Sequence, residues 1–153
     1  MTDSLFNVIT LSPEETEALG ARLATDMIAE KSPLPRFVAL YGDLGSGKTA
    51  FVRGLARIMA PGAAVRSPTF ALVNEYRAKP LSLFHFDMYR ITDEDDLYSI
   101  GFYDYLDRAG ICLVEWSENI PYALPERYIR VEIQKNNAEQ SDCRLITASY
   151  IGD

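Results

Sequence analysis

A chain of 153 residues with 48% hydrophobic residues has the size of one globular domain and can bury one core. Its formal net charge of −7 disfavours tight, unaided binding to nucleic acid, because that affinity rests on Lys and Arg contacts with phosphates. Its apolar runs are far shorter than the roughly 20 residues of a membrane-spanning helix, and the N-terminus has no apolar signal core, so we expect a single cytoplasmic domain over residues 1–153.

The chain begins with the pattern of a strand followed by a helix. Residues 6–10 alternate and are rich in apolar side chains, which predicts a short strand. Ser12 then starts a capping box, with Pro13 at the first helical position and Glu15 reaching back. A helix is predicted over residues 13–31. Its buried stripe includes Leu19, Leu23 and Met27.

A glycine-rich loop then joins a buried strand to a second helix. Phe37–Tyr41 is a continuous apolar run between prolines and glycines, which predicts a strand buried on both faces of an α/β sheet. Residues 49–59, after the loop, show a helical pattern. The core-facing side chains of this helix are Phe51, Val52, Leu55 and Ile58.

The second half of the chain is mostly β in pattern. Residues 70–76 and 83–87 are predicted to pair as a hairpin, and the acidic segment 92–96 marks the start of a helix that leads into an aromatic stretch. Residues 111–116 form another buried strand, and residues 128–134 and 144–149 form a terminal hairpin. The fold class is therefore α/β: a three-layer phosphate-loop NTPase domain with a central mixed, largely parallel sheet and a C-terminal β-hairpin.

The glycine-rich loop matches the pattern Gly-x-x-x-x-Gly-Lys-Thr. Its residues are Gly42, Asp43, Leu44, Gly45, Ser46, Gly47, Lys48 and Thr49. Glycines let successive backbone N–H groups turn inward around phosphate oxygens, at the N-terminus of a helix whose dipole favours anions. In such a loop Lys48 reaches the β- and γ-phosphates, and the Thr49 hydroxyl ligates Mg²⁺. A chance match in a glycine turn is the alternative, but the flanking strand and helix favour a nucleotide site.

Hydrolysis also needs a carboxylate at the end of a neighbouring strand, to hold Mg²⁺ or to position the attacking water. Asp87 and Glu115 each close a predicted strand and are both candidates, although either could be an ordinary polar residue at a strand end. Strand alternation places His85 on the same face as Asp87. His85 could therefore orient Asp87 or a water, against the alternative of a satisfied core histidine.

Four further residues have weaker signals. Thr69 follows a Ser-Pro dipeptide, where many phosphate-loop proteins carry a segment that senses the γ-phosphate; a turn before a strand is an equal alternative. Arg53 and Arg90 are possible charge stabilisers, with solvated or ion-paired arginines as the alternative. Trp116 is expected to point away from the preceding glutamate, into the core or an interaction surface.

Four motifs occur in a characteristic order. They are Gly42-Asp43-Leu44-Gly45-Ser46-Gly47-Lys48-Thr49, Ser67-Pro68-Thr69-Phe70, His85-Phe86-Asp87-Met88-Tyr89-Arg90 and Val114-Glu115-Trp116. In order, spacing and chain length they resemble the TsaE (YjeE) family of bacterial ATPases. The resemblance extends from about Val8 to the terminal hairpin, and only the tail after Lys135 is indistinct.

The resemblance implies a role in the synthesis of threonylcarbamoyladenosine, the modified base beside the anticodon of tRNAs that read codons starting with A. In that family the ATPase associates with the TsaD and TsaB subunits, which carry the tRNA, and its ATP cycle resets the transferase. ATP and Mg²⁺ are the implied cofactors. Lys48 and Thr49 are assigned to the nucleotide and Mg²⁺, and Glu115 to the metal. Thr69 and Asp87 are assigned to the catalytic neighbourhood.

Other functions of a phosphate loop leave other signatures. A small-molecule kinase should show an arginine-rich lid, and a GTPase an Asn-Lys-x-Asp motif; neither is found in the sequence. A nucleotide-gated scaffold with negligible turnover remains an alternative, as does a small-molecule kinase. The family's architecture also suggests Thr10-Leu11-Ser12 and the edge of the first helix as candidates for the adenine pocket.

Overall fold

A computed structural model of the chain describes residues 2–42, 46–66, 68, 72–136 and 139–152. The strands are β1 (Thr2–Thr10), β2 (Phe37–Tyr41), β3 (Val73–Tyr76), β4 (Ser82–Asp87), β5 (Gly110–Glu115), β6 (Tyr128–Lys135) and β7 (Arg144–Ile151). The helices are α1 (Pro13–Ile28), α2 (Lys48–Met59), α3 (Glu94–Ser99) and α4 (Phe102–Leu106), with 3₁₀ turns at Ser117–Asn119 and Pro121–Ala123. In the part of the chain that the structure describes, no helix is long and apolar enough to cross a membrane.

The strands form one seven-stranded sheet in the order β1-β7-β6-β2-β5-β4-β3. Its centre is parallel, since β2 pairs with β5 and β6, and β4 pairs with β5. Both edges are antiparallel, through the β3–β4 hairpin on one side and β6, β7 and β1 on the other. The mixed sheet and both predicted hairpins are confirmed, with the parallel pairing confined to the centre.

The two faces of the sheet are covered by different helices, which confirms the three-layer architecture. Helices α1 and α2 pack on one face, and their core residues include Leu19, Leu23, Met27, Phe51, Val52 and Leu55. Helices α3 and α4 cover the other face with Leu97 and Phe102, against Phe84 and Phe86 of β4. The central strands are therefore buried on both faces, as their continuous apolar sequences predict.

The N-cap of α1 is as predicted, but the helix ends earlier than expected. The Ser12 hydroxyl accepts a hydrogen bond from the Glu15 amide at 3.1 Å, which satisfies a free donor of the first turn. The helix ends at Ile28 and not at residue 31, because Ala29 is extended and Lys31 adopts a positive φ of 63°. Pro33 disfavours helical geometry only at Ser32, so it limits the helix to residue 31 at most and does not set the observed end.

Candidate functional site

The phosphate-loop candidate lies between β2 and α2. Gly47 forms the N-cap of α2 with a φ of 104°, in the left-handed region that favours glycine. Lys48 is buried, its ammonium donates a hydrogen bond to the Gly42 carbonyl, and its Nζ lies 4.4 Å from the centroid of the Trp116 ring. The lysine is thus held at the mouth of the loop. The loop residues Asp43, Leu44 and Gly45 lie outside the described residues.

The base of the loop is close-packed around a buried hydroxyl. A Cβ atom on Gly42 would lie 2.7 Å from both the Ile133 carbonyl oxygen and the Ser46 Oγ, so only glycine fits there. Ser46 is buried, and its hydroxyl has no hydrogen-bond partner within the described residues. A buried polar group without a partner is costly in a native protein. Its position beside the helix N-terminus fits a loop that receives a polar ligand.

Asp87 and Glu115 come together at the carboxyl edge of the parallel strands. Asp87 of β4 pairs in register with Glu115 of β5, and Glu115 pairs in register with Leu40 of β2, just before the loop. Both carboxylates are largely buried, with 9% and 7% of the residue exposed. In open α/β sheets, ligands bind at this carboxyl edge. The two acids found at strand ends in the sequence therefore share one site with the loop.

The surroundings of Asp87 shift the pKa of its carboxyl group upward. Burial raises the pKa of the Asp87 carboxyl, and nearby Glu115 adds to the rise. The Tyr89 amide, which donates to Asp87 Oδ1 at 2.9 Å, together with His85 and Lys48, opposes it. A carboxylate whose pKa is brought closer to neutrality is a better proton acceptor at physiological pH.

His85 contacts Glu115 and not Asp87, contrary to the first of its predicted roles. The histidine shares a face of β4 with Asp87, as alternation predicts, while Phe84 and Phe86 enter the opposite core. Its Nε2 atom lies 2.5 Å from Glu115 Oε2, because β4 and β5 are parallel neighbours and the long glutamate side chain can lie back along them. The two side chains form a buried pair beneath the site.

Trp116 was expected to continue β5, and that expectation is wrong. The strand ends at Glu115, and Trp116 adopts a φ of 59° at the start of a 3₁₀ turn. Strand alternation therefore stops applying to its side chain. The indole packs 5.0 Å from the Tyr89 ring, between centroids, and beneath the Lys48 ammonium. The tryptophan thus belongs to the candidate site.

Arg144 is a residue at the site that sequence reasoning missed. Its Nε donates to the Ser46 carbonyl at 2.5 Å, which links β7 to the glycine-rich loop across 98 positions of sequence. It also donates to the Ser141 and Cys143 carbonyls at the end of the terminal hairpin. An isolated arginine at the start of a strand carries no local signal for this role, since only the pairing of β6 and β7 brings it to the loop.

The remaining candidates are less well placed or lie outside the structure. Thr69 lies outside the described residues, so its assignment remains a prediction. Arg53 and Arg90 are exposed. In the predicted adenine segment, the Thr10 and Thr16 hydroxyls hydrogen-bond at 2.7 Å, and Leu11 is exposed. A cleft of about 620 Å³ adjoins the loop and includes Gly42 and Ser46 in its wall.

The side chains present fit a metal ion that is bound mainly through phosphate. Within residues 2–42, 46–66, 68, 72–136 and 139–152, no three His, Cys, Asp or Glu side chains cluster as a metal cage. Mg²⁺ bound with a nucleotide needs only one or two protein oxygens, because phosphates and waters complete its shell. Thr49, in the first turn of α2, and Glu115 offer such oxygens.

Comparison with known proteins places the chain in one family. The family model described as "Threonylcarbamoyl adenosine biosynthesis protein TsaE" matches residues 10–144. The tRNA threonylcarbamoyladenosine biosynthesis protein TsaE of Bacillus subtilis is 36% identical over 144 residues, which cover 94% of this chain and 85% of that protein. The protein of the same name from Haemophilus influenzae is 38% identical over 142 residues, covering 92% and 89%.

A solved structure gives the same result at the level of the fold. The crystal structure of YdiB from Bacillus subtilis superposes with a TM-score of 0.75 and 31% sequence identity, covering 99% of this chain and 88% of that one. The similarity therefore covers nearly the whole of this chain, including the seven-stranded sheet and the site at its carboxyl edge. The chain belongs to the TsaE family of threonylcarbamoyl adenosine biosynthesis proteins.

Proposed function

We propose that this protein binds ATP with Mg²⁺ and hydrolyses it in support of threonylcarbamoyladenosine formation on tRNA. The observation that carries the proposal is the convergence of Lys48, Asp87 and Glu115 at one edge of the sheet, beside the N-terminus of α2. A loop that supplies amides and a lysine binds phosphates, and a pair of carboxylates adds what hydrolysis requires. The adjoining cleft of about 620 Å³ has room for a nucleoside.

The residues of the loop and of β5 would bind the nucleotide. Lys48 exchanges its hydrogen bond with the Gly42 carbonyl for the β- and γ-phosphates, where a charged acceptor gives a stronger bond. Thr49 and Glu115 would hold Mg²⁺, which would supply positive charge to neutralise the phosphate oxygens. The buried Ser46 hydroxyl and the amides at the N-terminus of α2 complete the anion site.

Asp87 would act on the water. Its Oδ1 atom is fixed by the Tyr89 amide, so the carboxylate is held in one orientation at the end of β4. Its raised pKa suits a group that accepts a hydrogen bond or a proton from the attacking water. Thr69 is proposed, from the family resemblance, to lie in the same neighbourhood. Simple nucleotide binding gives no purpose to a largely buried carboxylate at this position.

Partner subunits are part of the proposal. The chain carries 22 acidic and 15 basic residues, so its own surface is poorly suited to hold tRNA. Relatives are named for tRNA threonylcarbamoyladenosine biosynthesis. The TsaD and TsaB subunits implied by the family resemblance would supply the tRNA contact and the transfer chemistry.

Phosphate release tests this function. Purified protein with Mg-ATP is expected to release phosphate slowly, and addition of TsaB and TsaD from the same source is expected to raise the rate about 10-fold or more. The physical reason is that partners can order the residues around the γ-phosphate, as activating proteins do in other phosphate-loop enzymes. Absence of phosphate release in both conditions would contradict hydrolysis. A rate that the partners leave unchanged would contradict the assembly.

Replacing Lys48 by alanine is expected to weaken ATP binding by about 10- to 100-fold, because a hydrogen bond to a charged group contributes roughly 1.5–3 kcal/mol. Isothermal titration calorimetry with Mg-ATP measures the loss. Lys79→Ala, at an exposed lysine between β3 and β4, removes the same charge away from the site and serves as the control. Unchanged affinity in the Lys48 variant would remove the basis for a nucleotide site in this loop.

A further inference from the structure

The pair of His85 and Glu115 is the feature of the site that the proposed function leaves unexplained. His85 is 2% exposed, and its Nε2 lies 2.5 Å from Glu115 Oε2. Its other ring nitrogen, Nδ1, is also buried and has no hydrogen-bond partner within the described residues. The ring therefore makes one strong polar contact and leaves its second polar atom unsatisfied.

The direction of the hydrogen bond follows from the two groups. A carboxylate can only accept, so the ring donates through an N–H at Nε2. The histidine thus serves as a hydrogen-bond donor to the Glu115 carboxylate.

Ordinary core packing does not account for this arrangement. The position on β4 faces Leu113 of β5 across the parallel register, in an apolar layer that a leucine or phenylalanine could fill. A buried polar atom without a partner is destabilising, and an apolar side chain would avoid that cost. The contact with Glu115 is what an apolar side chain could not supply.

We propose that His85 is a positioning residue, which fixes Glu115 through Oε2 so that the carboxylate is held ready for the Mg²⁺ of Mg-ATP. This inference rests on the proposed function. A group that orients a metal ligand typically changes metal affinity by about 10- to 100-fold when it is removed. The role requires a donor at the Nε2 position, and it does not require an imidazole as such.

Two variants with the same functional group separate this role from a structural one. In His85→Gln the amide nitrogen reaches about as far as Nε2, whereas in His85→Asn it reaches only about as far as Nδ1 and falls short of Glu115. The quantity measured is the ratio of ATP dissociation constants in EDTA and in Mg²⁺, by calorimetry. We expect His85→Gln to keep the wild-type ratio within about 3-fold. His85→Asn should lower the ratio about 10-fold, with its affinity in EDTA unchanged.

Phe86→Leu is the matched control, because it alters a buried side chain of the same strand on the opposite face. It should lower the melting temperature and leave the Mg²⁺ ratio unchanged. A wild-type ratio in His85→Asn would overturn the positioning role, and so would equal losses in the Gln and Asn variants. If Mg²⁺ has no effect on ATP affinity in the wild type, the proposed function itself is wrong and this inference is rejected with it.

Discussion

Replacement of Asp87 by alanine is expected to lower ATP turnover by about 1,000-fold while ATP affinity changes by no more than about 3-fold. The carboxylate lies at the end of β4 beside Glu115, where it can act on the attacking water, and positioned acid–base groups contribute about 10²- to 10⁴-fold to rates. The measurements are single-turnover phosphate release and calorimetric ATP binding. Asp26→Ala, at an exposed acid on α1, is the control for loss of a negative charge. Equal losses of binding and turnover would show that Asp87 holds the nucleotide instead.

The raised pKa of Asp87 adds a pH dependence to this prediction. Because the folded-state pKa lies above the ordinary value of 3.8, the native protein binds this proton more tightly than the unfolded chain does. The ionised carboxylate therefore lowers the free energy of unfolding at neutral pH. This loss disappears as the pH falls below the pKa of Asp87 in the unfolded state. Asp87→Asn should raise the melting temperature at pH 7 and give a smaller gain near pH 4. As the pH is lowered, ATP turnover by the wild type should already fall at a pH above 3.8, because Asp87 takes up its proton there.

Alanine at Gly54 is expected to lower the free energy of unfolding by about 3 kcal/mol or more. A Cβ atom there would lie 1.9 Å from the Glu17 carbonyl oxygen, and one at Gly20 would lie 2.2 Å from the Phe51 carbonyl oxygen. Both obstacles are backbone atoms, so α1 and α2 must move apart to relieve the overlap, and overpacking of this kind costs about 1–3 kcal/mol or more. Urea denaturation followed by circular dichroism measures the loss, and Gly20→Ala should behave in the same way.

Gly62→Ala is the control for the Gly54 variant. It separates the effect of close contact between the helices from the effect of replacing a glycine. Gly62 has a φ of 85°, but a Cβ atom on it would meet nothing within 4 Å. Its replacement should cost only about 1–2 kcal/mol, from the left-handed backbone alone. A Gly54 variant as stable as the Gly62 variant would mean that the two helices do not approach as closely as the structure shows. Since α2 carries Lys48 at its first position, the Gly54 variant should also bind ATP more weakly than the wild type under conditions in which both are folded.

Local sequence was sufficient to predict the parts of this protein whose chemistry lies in consecutive residues. The strand Phe37–Tyr41 is buried on both faces, the Ser12 cap starts α1, and the terminal hairpin pairs as expected. The end of α1 was placed too late, because the turn at Lys31 has no distinctive residue type. Residues 111–116 also predicted a buried strand, and a strand over Gly110–Glu115 is confirmed. The strand ends one residue earlier than predicted, because Trp116 adopts a positive φ, and its indole packs against Tyr89 and Lys48, which are distant in sequence.

The sequence by itself determined the glycine-rich loop between a strand and a helix, and with it the expectation that this loop binds phosphate, because that chemistry resides in contiguous backbone amides and one lysine. Only the tertiary structure decided which distant side chains surround the loop. His85 meets Glu115 because β4 and β5 are parallel neighbours, and Arg144 reaches Ser46 because β7 returns beside β6. Likewise only the tertiary structure shows why Gly20 and Gly54 matter for packing. The backbones of α1 and α2 are in contact where the helices cross, so a Cβ atom at either position would overlap a carbonyl oxygen. These contacts depend on strand order and helix distance, which no local pattern of residues encodes.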